Sequence, residues 1–215
     1  MKKRTILASA LIVLLLFGLL AACASEAPPS AAPAAQEEAP SAAPEGNAFY
    51  NEAQSITVEG RSFLLEDLPE SEAEALVVKD FLYSITGEFD KKALLLADTE
   101  THRIYLVNEE RNLREGCHIK SHVIHAVMTL TAEEYAQEQF SDGESNPLYY
   151  HNAQALAQEY DLGAYEIVRV EFTVAWSEAA LEKGPQWGDG TYSRSFLVGK
   201  CSGDNAYKIY EYGMM

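Results

Sequence analysis

Three histidines lie close together, His118, His122 and His125, and their spacing invites a metal-binding reading. On a helix, His at i and i+4 share a face, which suits a metal ion. The surrounding residues, HIKSHVIHAVMTL, are rich in branched types that favour a strand. On a strand His118 and His122 stand ~13 Å apart along one face and His125 points to the other. An ion with bonds of ~2.0–2.1 Å cannot be shared across that span. No metal site is expected, and the histidines read as surface or hydrogen-bonded groups.

Asp142-Gly143-Glu144-Ser145-Asn146 opens like a calcium loop, with oxygens at alternate positions. Pro147 then stands where the loop needs Gly, and Ala153 where it needs a bidentate Glu. A polar turn followed by a helix cap is expected instead. The aromatic residues Phe172, Trp176, Trp187 and Tyr207, with Tyr210 and Tyr212 near the last of them, are candidates for a pocket or binding surface. Tyrosine also suits pleated sheets for packing reasons alone. Nucleophile and phosphate-loop motifs are absent, and the 33 acids are spread throughout. No catalytic residue and no cofactor are expected. Asp80, opposite the apolar stripe of its helix, reads as solvent-facing.

The formal charge of −17 repels nucleic acid and anionic lipid, so no nucleic-acid partner is expected. Cys117 and Cys201 are candidates for a disulfide outside the cell, or for two separate thiols, since pairing requires close Cα atoms that a sequence does not supply.

The elements that must position these residues begin after an unusual leader. Lys2, Lys3 and Arg4 precede an uncharged run, Ile6 to Leu20, as in a secretory signal peptide. Leu20-Ala21-Ala22-Cys23 resembles the lipobox of bacterial lipoproteins. The resemblance implies cleavage after residue 22, a diacylglyceryl group on Cys23, and a lipid anchor at the extracytoplasmic face of the cell membrane. Residues 23–47 follow as an Ala/Pro-rich tether with too little to bury to offset chain entropy. Extended at ~3.1 Å per residue it reaches on the order of 70 Å. Residues 48–215 form one domain, of a size that suits a single core.

Within that domain, Ile56–Val58 and Arg61–Leu65 read as a hairpin. Ser71 and Glu74 form a capping box for a helix whose apolar stripe is Ala75, Val78, Leu82 and Ile85, with Gly87 ending it. Asp90 is expected to cap a short helix, and Asp98–Arg114 is ambiguous, with a short helix around Val107–Leu113. In the strand from Cys117, Ile124, Ala126, Met128 and Leu130 are expected to share a face. Thr131 and Glu134 form a second capping box, and Asn146-Pro147 opens a helix ending near Tyr160. Tyr165–Trp176 is a strand with Val168, Val170, Phe172, Val174 and Trp176 on one face. Tyr192–Lys200 and Ala206–Tyr212 make a final hairpin.

Helices followed by long half-buried strands predict an α+β fold, N-terminal helices packed on a curved antiparallel sheet. EAEALVVKDFLYSITGEFDKKALLLAD, then YEIVRVEFTV, SFLVGK and YKIYEYG, resemble the nuclear transport factor 2-like cone, and more narrowly its lipid-anchored members in Gram-positive bacteria. The resemblance implies a sheet wrapped round a helix with a pocket inside, without fixing one chemistry. The expected function is a lipid-anchored binding or accessory domain engaging an unidentified protein, peptide or small ligand. The alternatives are a small-molecule isomerase or dehydratase using the cone pocket, and an assembly subunit forming a homodimer through the sheet.

Overall fold

The computed structural model describes residues 47–131, 133–135, 153–185 and 187–214. The chain divides into two units, Met1–Ala42 and Ala43–Met215, and every described residue belongs to the second. The Asp142–Asn146 turn and the Asn146-Pro147 helix start lie outside the described residues.

Strands β1 (Ser55–Val58) and β2 (Arg61–Leu65) pair antiparallel. Their two-residue turn has positive φ at both Glu59 and Gly60, the conformation whose twist matches that of the flanking strands. Helix α1 (Glu72–Thr86) starts on Ser71, whose hydroxyl accepts from the Glu74 N–H, and ends at left-handed Gly87. The Glu74 carboxylate accepts from the Glu70 N–H at 2.6 Å and from both the N–H and hydroxyl of Thr129, at 2.8 and 2.9 Å. One capping residue thereby also ties the helix to the sheet.

Helix α2 (Phe89–Leu95) is capped at Glu88 rather than Asp90, which occupies its first turn, where a negative charge suits the helix dipole. Helix α3 runs over the whole of Glu100–Arg114 behind a Thr99 cap, much longer than the turn expected near Val107. Its inward positions include His102, Tyr105 and Glu109, so no apolar stripe announces it.

Strand β3 (Ile119–Leu130) lies parallel to β2, a consequence of the three-helix crossover between them. Strands β4 (Leu162–Trp176), β5 (Gly190–Cys201) and β6 (Lys208–Met214) then add antiparallel, in the order β1-β2-β3-β4-β5-β6. The fold is α+β, but the sheet is mixed rather than wholly antiparallel. Helix α4 (Ala153–Glu159) precedes β4, and α5 (Glu178–Lys183) follows it. The Thr131–Glu134 capping box forms in both directions, at 2.8 and 3.1 Å.

Two bulges decide which side chains face inward. In β3, Ile124 pairs with Phe172 but Ala126 with Glu171, leaving His125 as the extra residue. The bulge turns Val127 inward and leaves Met128 exposed, so the expected face of Ala126, Met128 and Leu130 does not continue from Ile124. In β6, Tyr210 is the extra residue between the Glu211 and Ile209 pairings.

The core lies between α1 and the inner sheet face. Val77, Val78 and Ile85 of α1 meet Ile124, Val168, Val170, Phe196, Val198 and Ile209, all with at most 1 % exposure. Each such burial is worth roughly 1.5–3 kcal/mol before entropy is counted. A smaller cluster of Ala97, Leu156, Leu197 and Tyr210 includes α4. Cys117 and Cys201 are free thiols. Cys201 pairs beside Leu162, at the start of β4, whereas Cys117 lies near Ile119, which pairs with Trp176 at the other end. That separation is on the order of 40 Å along β4, so the candidate disulfide does not form. Among the described residues no helix is long and apolar enough to cross a membrane.

Candidate functional site

Strand alternation carries a row of side chains to the sheet face that packs on α1. Phe172, Val174 and Trp176 come from β4, Tyr192 and Arg194 from β5, Tyr212 from β6, and Ile119 and His122 from β3. Asp80, Phe81 and Ser84 of α1, Tyr105 of α3, and Pro185 and Trp187 of the loop after α5 complete the lining. Together they enclose a cavity of about 220 Å³. A second cavity of about 170 Å³ shares Ser84, Tyr105, Ile119 and Trp176 with it and reaches Asn108, Glu109 and His118.

Behind this wall Lys92 of α2 is completely buried. Its ammonium donates to Ser84 Oγ and, at 2.8 Å, to Glu109 Oε2, and lies 3.4 Å from Asp80 Oδ1 and 3.5 Å from the Tyr105 hydroxyl. Burial alone pulls an ammonium pKa down, but the Asp80 and Glu109 carboxylates outweigh it and hold Lys92 above the ordinary lysine range. The pairing does not free Asp80. Burial first, and then the Glu109 charge, raise its carboxyl pKa against the opposing pull of Lys92 and Arg194. The expectation that Asp80 faces solvent is therefore wrong. Lys92 of α2 and Glu109 of α3 lie over this side of α1, and the Asp80 side chain is only 13 % exposed.

His122 is 5 % exposed and sits edge-on to Phe81 and Phe172, with ring centroids 4.9 and 5.7 Å away. Desolvation, reinforced by the charges of Lys92 and Arg194, pulls its pKa down to about 3, so it is neutral at neutral pH. The Arg194 guanidinium lies 5.9 Å from the Phe172 ring centre and 5.3 Å from that of Tyr212, the geometry of cation–π attraction. Burial pushes the Tyr212 hydroxyl up to about 12. Asp80 Oδ1 makes no hydrogen bond but faces the Lys92 ammonium, whereas on two lining residues, at His122 Nδ1 and Trp176 Nε1, a buried polar atom has no hydrogen-bond partner among the described residues. Such atoms are costly unless something pairs with them.

Of the four aromatic candidates, Phe172, Trp176 and Trp187 line the larger cavity. Tyr207 does not: its hydroxyl donates to Glu166 and its ring lies under Lys200. The β6 bulge explains the choice among the last tyrosines. It sends Tyr210 to the α4 side and brings Tyr212, instead, into the cavity. The three histidines are kept apart. His122 lines one cavity, His118 the other, and His125 bonds Glu66 and Thr173, each at 2.8 Å. Among the described residues no three His, Cys, Asp or Glu are grouped to hold a metal ion.

Asp80, Lys92, Tyr105, His122 and Arg194 escaped the sequence reading as site residues, whereas Tyr212 was among its candidates and does line the cavity. For Arg194 a signal existed, since Tyr192, Arg194 and Phe196 alternate on one face of a strand. Lys92 gave none, because a lysine in a short helix beside Lys91 reads as surface. No protein family, curated protein or solved structure matches the chain.

Proposed function

We propose that this chain is a lipid-anchored, extracytoplasmic ligand-binding domain of the nuclear transport factor 2-like cone type. Cys23 is its anchor, residues 23–47 its tether, and the larger cavity its binding site. One observation carries the binding reading. A cavity of about 220 Å³ is walled by aromatic rings, and two of its residues, His122 and Trp176, hold buried polar atoms without a hydrogen-bond partner among the described residues. Apolar walls with a few polar groups are the usual make-up of a small-molecule site.

The test is to purify the full chain from membranes and identify retained small molecules by mass spectrometry, beside a Val174→Phe variant that fills the cavity. A molecule bound by the parent and lost from the variant is expected. Equal retention by both, or none by either, refutes the binding reading. The anchor is tested separately: Cys23→Ser moves the chain from the membrane pellet to the soluble fraction.

A second reading, an isomerase or dehydratase, is favoured by a raised Asp80 carboxyl and a neutral His122 in one cavity, a pair able to pass a proton to and from a ligand. Turnover of the retained molecule, abolished in Asp80→Asn, would support it. Assembly through the sheet is favoured less. The positions of β4 and β5 that alternate with the lining residues carry Arg169, Glu171, Thr173, Thr191 and Ser193, a polar surface.

A further inference from the structure

The two cavities share four wall residues, Ser84, Tyr105, Ile119 and Trp176, so they are neighbouring chambers with those side chains between them. Neither volume, about 220 or about 170 Å³, reaches the roughly 300 Å³ at which small-molecule pockets ordinarily begin, and the two together pass it. Three of the shared residues are tied down. Ser84 Oγ accepts from the buried Lys92 ammonium. Tyr105 has that ammonium 4.9 Å from its ring centre and the Tyr212 ring 5.5 Å away. Ile119 carries a short side chain that is stiff at χ1. Trp176 is different. It ends β4, and its main-chain N–H is fixed on Asp189 Oδ1 at 2.7 Å, but no hydrogen bond holds its indole among the described residues. The indole is the part of the partition that can turn, and turning it joins the chambers.

The chambers differ in chemistry. The larger is bounded by Phe81, Phe172, Trp187, Tyr192 and Tyr212, rings that suit another ring. The smaller has apolar wall from Phe89, Leu113 and Ile119, beside the amides of Asn108 and Asn112. An asparagine amide both donates and accepts, which suits an uncharged group that does the same. The carboxylate of that chamber, Glu109, is already bonded to Lys92. We propose, given the binding reading on which this inference rests, that the two cavities form one elongated site. It takes an aromatic ring in the larger chamber and, through a short aliphatic chain past Trp176, an uncharged amide-like head in the smaller.

The test uses residues that line one chamber only, Val174 in the larger and Leu113, Asn108 and Asn112 in the smaller. The full chain in detergent micelles is titrated with phenylalkyl carboxamides of growing chain length, from phenylacetamide to 7-phenylheptanamide. Tryptophan emission is followed, since both tryptophans line the site. The readout is the ratio of dissociation constants, variant over parent, in which partition of each probe into the micelles cancels. A buried methylene strengthens binding about fourfold. The Leu113→Phe ratio is therefore expected to be near one for phenylacetamide and to exceed about tenfold for 7-phenylheptanamide. Val174→Phe is expected to weaken every probe. The double variant Asn108→Leu, Asn112→Leu is expected to weaken 7-phenylheptanamide about fivefold or more, the scale of a hydrogen bond, and to leave heptylbenzene, which lacks the head, unchanged. If Leu113→Phe does not fold, Asn112→Phe takes its place. A Leu113→Phe ratio that is the same at every chain length overturns the single elongated site. A double variant that weakens heptylbenzene as much as the amide overturns the amide-like head. Emission unmoved by every probe overturns both. The binding reading itself rests on the molecule retained by the membrane-purified chain, so its failure is told apart from these.

Discussion

Acidification should weaken this fold through one imidazole. His122 has an ordinary pKa of 6.5 that burial and two nearby cations lower to about 3 in the folded chain. The unfolded chain therefore takes up a proton that the folded chain refuses, and the stability contribution present above pH 6.5 is lost as pH falls towards 3. Lowering a pKa by one pH unit corresponds to about 1.36 kcal/mol between the two protonation states. At pH 5 the loss from His122 is about 2 kcal/mol, and below pH 3 it approaches about 5 kcal/mol. The side chain is almost fully enclosed, so solvent screening takes little from these figures. Urea unfolding at pH 7 and pH 5, followed by tryptophan emission, measures the difference. His122→Phe keeps an aromatic edge against Phe81 and Phe172 and removes the titration, so its stability should change much less over the same interval. His118, also lowered by burial and by Arg61, supplies a residual slope in both proteins. Asp80, raised in the fold, acts with opposite sign: its contribution is complete below pH 3.8 and fades as pH rises through its folded value. That contribution is shared too and cancels from the comparison. If the variant loses as much stability at pH 5 as the parent, the buried-imidazole argument fails.

Lys92→Met should cost about 3–5 kcal/mol, because it leaves Asp80 and Glu109 facing each other without their shared cation; thermal melting reads the loss, and adding Glu109→Gln should restore part of it. Gly199→Ala should cost about 1–3 kcal/mol, since a Cβ there meets Leu162 Cδ1 at 2.7 Å and the Ala164 carbonyl at 2.9 Å, measurable as a lower urea midpoint. In unreduced, denatured protein both Cys117 and Cys201 should be alkylated as free thiols, as read by peptide mapping; alkylation of the two only after reductant is added would contradict the fold's separation of them.

The elements legible in the sequence were those whose signals are local. The β1–β2 turn, the Ser71 and Thr131 caps and the alternation of Val168 to Trp176 all followed from neighbours in the chain. The site was legible in its aromatic residues, at Phe172 and Trp176 through alternation and at Trp187 and Tyr212 through residue type alone. Asp80 was misplaced and Lys92 passed over because their burial depends on α3, whose inward face carries Tyr105 and Glu109 against Lys92. Each half of that cluster hides the evidence for the other. Met128 and Tyr210 were misassigned for a different reason: an inserted residue shifts the side-chain parity, and nothing in residue type marks where it falls.

Those inserted residues also give the strands slack. Without His125, Ile124, Ala126 and Val127 would still stand opposite Phe172, Glu171 and Val170, now in plain alternation, and every side chain further along would keep its facing. The loss would fall on the two bonds His125 makes to Glu66 and Thr173. A residue dropped instead from the middle of β4, which is paired on both sides, would turn half of the cavity wall outward. Among divergent copies of such a chain, single-residue gains and losses should therefore gather at points like His125 and Tyr210 and be scarce between Val168 and Val174.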